Sequence, residues 1–187
     1  MTLRDDRDRA TPATQSAALP YRVRGGTVEV LLVTPRGGDG WIIPKGKVER
    51  RLGPAGSASQ EAEEEAGVHG EIGHEPFEQY RHGNEDEGPL VAVYLLRVTR
   101  EMPSWAEAHE RERRWATLDE VSGLVIDPGL ARVMRDAADH LAIHAPAAWQ
   151  AAEEARLGTR ARRRRLVGPA LVLAAACGVA AIAYLAG

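Results

Sequence analysis

The feature that most constrains this chain is the stretch from Gly46 to Val68, GKVERRLGPAGSASQEAEEEAGV. It reads as a glycine-bearing loop followed by a short helix. On a helix, positions i, i+3 and i+4 share one face, so Glu61, Glu64 and Glu65 lie together, and Glu61/Glu65 sit at a like-charge spacing that is unfavourable. Three carboxylates crowded in this way call for a cation. An all-oxygen donor set suits a hard ion, Mg2+ or Mn2+, better than zinc. The spacing Ser57-Ala58-Ser59-Gln60 fits a capping box that would start the helix at Ser57, and Gly67 would end it as a C-cap glycine.

The segment resembles the Nudix box, G-x5-E-x7-R-E-U-x-E-E-x-G-U, where U is a bulky aliphatic residue. Gly46, Glu61, Glu64, Glu65, Gly67 and Val68 fall on its fixed positions. Three residues depart from it. Leu52 stands where the first Glu is expected, Gln60 replaces the Arg, and Ala62 is a small version of U. In the family that Glu and Arg typically pair with each other. Losing one alone would leave an uncompensated, partly buried charge; here both are absent together. The resemblance implies an α/β fold, a Nudix-type α/β/α sandwich with a mixed sheet, over residues 20–140. It also implies a hydrolase acting on phosphoanhydrides by metal-activated water. By position, Glu61, Glu64 and Glu65 become the catalytic and metal-binding residues, assisted by the Lys45 carbonyl. A further metal-binding acid is expected from a later loop, where Glu107, Glu110 and Glu112 are candidates and Glu110 is preferred. WIIPKG before the box, EEAGVHGEIG at its end and ERERRWATLDE downstream are similar to bacterial relatives of diphosphoinositol polyphosphate phosphohydrolases. Implied substrates are therefore diphosphoinositol polyphosphates, dinucleoside polyphosphates or nucleoside diphosphates linked to another moiety.

The chain's two lysines, Lys45 and Lys47, flank Gly46, and Arg50 and Arg51 follow. Four cations beside three carboxylates suit a polyphosphate held across a metal, which makes them the candidate substrate-binding residues. From another functional class, Leu52 and Gln60 motivate a non-catalytic module that binds a nucleotide or polyphosphate.

Of 187 residues, 44% are hydrophobic, enough for one packed domain with extensions. Residues 160–187 carry five arginines and no acid, which leaves 19 basic and 27 acidic side chains in the first 159. A body this acidic argues against a nucleic-acid partner. Cys177 is the only cysteine, so no intrachain disulfide forms. Residues 1–19 are polar and charged and read as a disordered leader. Tyr21 to Val33 reads as two strands turning at Gly25-Gly26, Trp41 to Ile43 as a short strand, and His69 to Tyr80 as a strand broken near Gly73 and Pro76. Leu90 to Thr99 reads as the innermost strand and Arg113 to Ala116 as another. Thr117 and Glu120 have capping-box spacing, and 129–157 is helical in period. Residues 141–165 would be a helical linker ending in the cluster Arg162–Arg165. Leu166 to Ala186 is 21 residues without a charge, about 31 Å as a helix, close to a bilayer core. With arginines immediately before it, it reads as a single-pass transmembrane tail anchor that leaves the upstream domain in the cytoplasm. The sequence leaves the oligomeric state open.

Overall fold

The structure is a computed structural model and describes residues 12–37, 39–84 and 86–145. Its elements are β1 (Gln15–Arg24), β2 (Thr27–Val33), β3 (Lys45–Lys47), α1 (Gly53–Ala66), β4 (Val68–Ile72), β5 (Glu78–Arg81), β6 (Leu90–Glu101), β7 (Arg113–Thr117), α2 (Leu118–Val121) and a helix over 128–145, here α3.

The sheet is mixed. Its order is β4-β6-β1-β2-β7, with β3 added to β1 and β5 to β6. β1 and β6 run parallel from Gln15↔Val91 to Tyr21↔Arg97, and every other pairing between named strands is antiparallel. β6 is apolar on both faces because both are covered: Val91 and Val93 point to one core, and Ala92, Tyr94 and Leu96 to the other. α1 covers one face with Ala58, Ala62 and Ala66, and α3 covers the other with Leu130, Val133, Met134 and Leu141. This is an α/β/α sandwich.

Several expectations shift. The segment read as a leader already contains the first half of β1: Ala17, Ala18 and Leu19 are fully buried. Their strand state comes from pairing with β6, which local composition cannot reveal. Pro20 fits inside β1 because its nitrogen lies on the same side as that of Ala18, which donates to Pro44 O. β3 pairing ends at Ala17 and β2 pairing starts at Tyr21, so the missing N–H removes no ladder bond. Trp41 and Ile42 form isolated bridges, and the strand proper lies just beyond, in β3. The glycine turn, the break between β4 and β5, β6, β7 and the Thr117–Glu120 capping box form where expected. The linker beyond residue 145 and the proposed transmembrane segment 166–186 lie outside the described residues. No helix among the described residues is long and apolar enough to cross a membrane.

Candidate functional site

α1 opens at Gly53, one turn earlier than the capping-box reading placed it. Pro54 supplies the preset φ of a first helical turn. Ser57 is therefore inside the helix. Its Oγ donates to Gly53 O (2.8 Å) and accepts from Glu49 N (2.9 Å), so it pins the preceding loop to the helix instead of capping it. Gly67 ends α1 in the left-handed region (φ 64°). The carbonyls orphaned at this end receive side-chain donors from the β6–β7 loop and the first residue of β7. Trp105 Nε1 donates to Glu65 O (3.1 Å), Arg113 Nη1 donates to Ala66 O (2.9 Å), and the Arg113 guanidinium stacks over the Trp105 ring at 4.1 Å. Trp105 thus fastens the acidic end of α1.

The small stripe Ala58–Ala62–Ala66 lets α1 lie close to the sheet, and Glu61 and Glu65 flank that stripe. Glu61 is pressed against the Gly46 backbone, where an added Cβ would overlap its carboxylate; this is why a glycine stands at that position. Glu65 is buried. One carboxylate oxygen accepts from Lys45 N (3.2 Å) and the other pairs with Arg111. Burial pushes the Glu65 carboxyl up to about 7, with Arg111 and the Lys45 amide pulling the other way. Burial also raises the Glu61 carboxyl, and the charges of Glu64 and Glu107 add to the rise. Burial lowers the Lys45 ammonium, partly offset by Glu65. Glu64 accepts from Gln60 Nε2 at 2.7 Å.

The two departures from the box have a shared structural answer. Gln60 Nε2 also donates to Glu49 Oε1 (3.3 Å), and the other Glu49 oxygen pairs with Arg51 (2.9 Å). Glu49, three residues before Leu52, thus supplies the loop carboxylate that meets the helix residue at position 60. The sequence held the signal, a Glu in the same loop, but not its register.

The later loop presents its acids differently from expectation. Glu110 pairs with Arg36 (2.8 Å) and His109 (3.2 Å). Glu107 of that run faces the box. Its charge acts on both Glu61 and Glu65, its backbone N–H donates to Glu64 O (3.1 Å), and its carboxylate joins Arg36 and Arg111. Arg111, buried in this cluster, has no assigned role in the sequence reading; its i,i+4 spacing from Glu107 was the available clue. Among the substrate-binding candidates, Lys45 is half-buried beside Glu65, whereas Lys47 at the end of β3 and Arg50 and Arg51 on the loop entering α1 are exposed.

Among the described residues no three metal-type side chains form a ready-made cage. Arg111 holds Glu65 and Gln60 holds Glu64. The donor chemistry nevertheless fits a hard divalent ion: Glu61, Glu64, Glu65 and Glu107 are all carboxylates, with Glu61 under the charges of Glu64 and Glu107 and Glu65 under those of Glu61 and Glu107.

The family model described as "NUDIX domain" matches residues 13–137. The chain belongs to the Nudix family. Among curated relatives, Nudix hydrolase 4 of Arabidopsis thaliana is 36% identical over 114 residues, 54% of this chain and 54% of its own length. Diphosphoinositol polyphosphate phosphohydrolase 3-beta of Homo sapiens is 38% identical over 97 residues, 49% of this chain and 57% of its own. The alignments span about half the length of these Nudix relatives. Solved structures share the Nudix fold. The C. elegans Ap4A hydrolase superposes with a TM-score of 0.54 at 20% identity, covering 70% of this chain and 99% of that one. The NUDIX domain of Shewanella oneidensis NrtR, complexed with ADP ribose, does so with 0.55 at 15% identity, covering 74% and 94%.

Proposed function

We propose that the protein is a Nudix hydrolase that cleaves a phosphoanhydride, tethered to a membrane by its C-terminal segment with the Nudix domain in the cytoplasm. The observation that carries the reading is the convergence of Glu61, Glu64, Glu65 and Glu107 beside Gly46 and Lys45. Glu61, Glu64 and Glu65, joined by Glu107, would hold Mg2+ or Mn2+. When bound, such an ion neutralises phosphate oxygens and lowers the pKa of a bound water. The chain's own residues do the rest. Lys45 offers an ammonium next to the carboxylates, and Lys47, Arg50 and Arg51 form the cationic approach for a polyphosphate. Burial raises the Glu61 carboxyl, the direction that makes a carboxylate a stronger proton acceptor.

On the α3 face, register aligns Lys47, Gln15, Val91 and Tyr80 in one row across four strands. Gln15 Oε1 and the Tyr80 hydroxyl are buried there without a hydrogen-bond partner among the described residues. An unmet polar atom of this kind calls for a partner, and we assign the partly open end of the row, Gln15 with exposed Lys47, to the part of the substrate beyond the phosphates. The relatives' names point to diphosphoinositol polyphosphates and Ap4A, and the NrtR complex to ADP ribose, so the substrate class is a diphosphoinositol polyphosphate, a dinucleoside polyphosphate or a nucleoside diphosphate linked to another group. The alternative, a non-catalytic binding module, was motivated by Leu52 and Gln60. The Glu49–Gln60 contact weakens that motive, because it restores a link between loop and helix.

A panel of these compounds incubated with the full chain, with and without Mg2+, tests the reading. Divalent-dependent release of phosphate or nucleotide supports hydrolysis. Thermal stabilisation by a panel member without turnover favours the binding module. Removal of residues 160–187 is expected to move the protein from the membrane to the soluble fraction; identical fractionation of both forms contradicts the anchor.

A further inference from the structure

We propose that Arg111 is an internal cation that occupies the carboxylate cluster in its metal-free form and is set aside when a divalent ion enters, so that the 105–112 loop senses metal occupancy. This rests on the metal-site reading above. The Arg111 side chain is 7% exposed. Its guanidinium has three partners from three parts of the chain: Glu65 on α1, Glu107 Oε2 at 2.6 Å and Thr34 O at 2.7 Å. A buried guanidinium needs such a set of acceptors, and buried carboxylates need such a cation. Arg111 therefore does in the free protein what a metal would do in the loaded one.

The two cations compete. Glu65 has one oxygen on Arg111 and the other on the Lys45 amide. An ion approaching the first oxygen meets the guanidinium as a like charge at short range. Arg111 has somewhere to go, because Thr34 O keeps its guanidinium when the carboxylates are given up to the ion. The same loop is stitched to α1 by Glu107 N to Glu64 O and Trp105 Nε1 to Glu65 O, both 3.1 Å. A shift of Glu65 is thereby passed to residues 105–112. Linkage is reciprocal: if metal weakens the Arg111–Glu65 contact, removing that contact strengthens metal binding.

The test is calorimetric titration of the full chain with MnCl2 for wild type, Arg111→Met and Arg111→Lys, beside thermal melting without metal. Arg111→Met is expected to melt lower without metal yet bind Mn2+ about tenfold tighter, within the usual range of coupling between sites. Arg111→Lys keeps the charge but not the fork that reaches three acceptors, and is expected to bind Mn2+ more tightly than wild type and less tightly than Arg111→Met. A merely structural arginine would lower both stability and affinity on removal. Should Arg111→Met not fold, amide hydrogen exchange of 105–112 in the wild type decides: Mg2+ is expected to speed exchange there, and unchanged exchange overturns the inference. Wild type that binds Mn2+ while Arg111→Met binds equally or more weakly overturns it alone. Wild type that takes up no Mn2+ overturns it together with the metal-site reading.

Discussion

The two faces of the sheet are built to opposite ends. Under α3 the contacts are large: Leu130, Met134 and Leu141 lie over Leu19, Leu32 and Val93. Under α1 the helix offers alanines: Ala58, Ala62 and Ala66, with Ala55 partly buried beside them. The α1 face gives up apolar area and gains proximity. A helix this close to the sheet can press Glu61 onto Gly46 and bury Glu65 against the Lys45 amide. Stability resides mainly on one side and the acidic chemistry on the other, and the two are separable by mutation.

The largest expected effect is on the α3 side. Leu141→Ala should destabilise the domain by about 2–5 kcal/mol, seen in chemical denaturation, with metal affinity per folded molecule unchanged. A matching loss of affinity would show that the two faces are not independent.

On the α1 side, Gly46→Ala drives a methyl group into the Glu61 carboxylate. It should weaken divalent-ion binding, with a cost to stability of about 1–3 kcal/mol, as overpacking has. A fall in stability with intact affinity would move Gly46 from site to scaffold.

Acidification should separate the faces as well. Glu65 has a raised carboxyl, about 7, so between the ordinary carboxylate range and about 7 the folded protein holds a proton that the unfolded chain does not. Its contribution to metal-free stability is present at low pH and is lost as pH rises through about 7. Metal must displace that proton, so affinity moves the other way and rises roughly tenfold from pH 6 to 8. Parallel trends in stability and affinity would contradict the assignment of Glu65.

The smallest effect is expected at the rebuilt link. Gln60→Ala removes hydrogen bonds to Glu49 and Glu64 and should cost about 0.5–1.5 kcal/mol, with a few-fold loss of metal affinity; Glu49→Gln should be milder still.

What was legible in the sequence was local. The box carboxylates with Gly67, the two-sided apolar run of β6 and the Thr117–Glu120 cap each carry their signal within a few residues. What was not legible depends on distant partners. Gln15 to Leu19 is a strand because β6 lies beside it. Glu49 does the work expected at position 52 because the loop folds back on Ser57 and Gln60. Arg111 looks solvated until Glu65, Glu107 and Thr34 O close around it. Glu107, and not only the expected Glu110, comes into play for the same reason: spacing along a loop does not say which acid acts on Glu61 and Glu65.

The central claim is that the acidic end of α1 takes up a divalent ion. Its most direct measurement is calorimetric titration of the protein with MgCl2, comparing wild type with the triple variant Glu61→Gln, Glu64→Gln, Glu65→Gln. The account expects saturable uptake by wild type and none by the variant, with both folded. Equal uptake by both, or none by either, would contradict it.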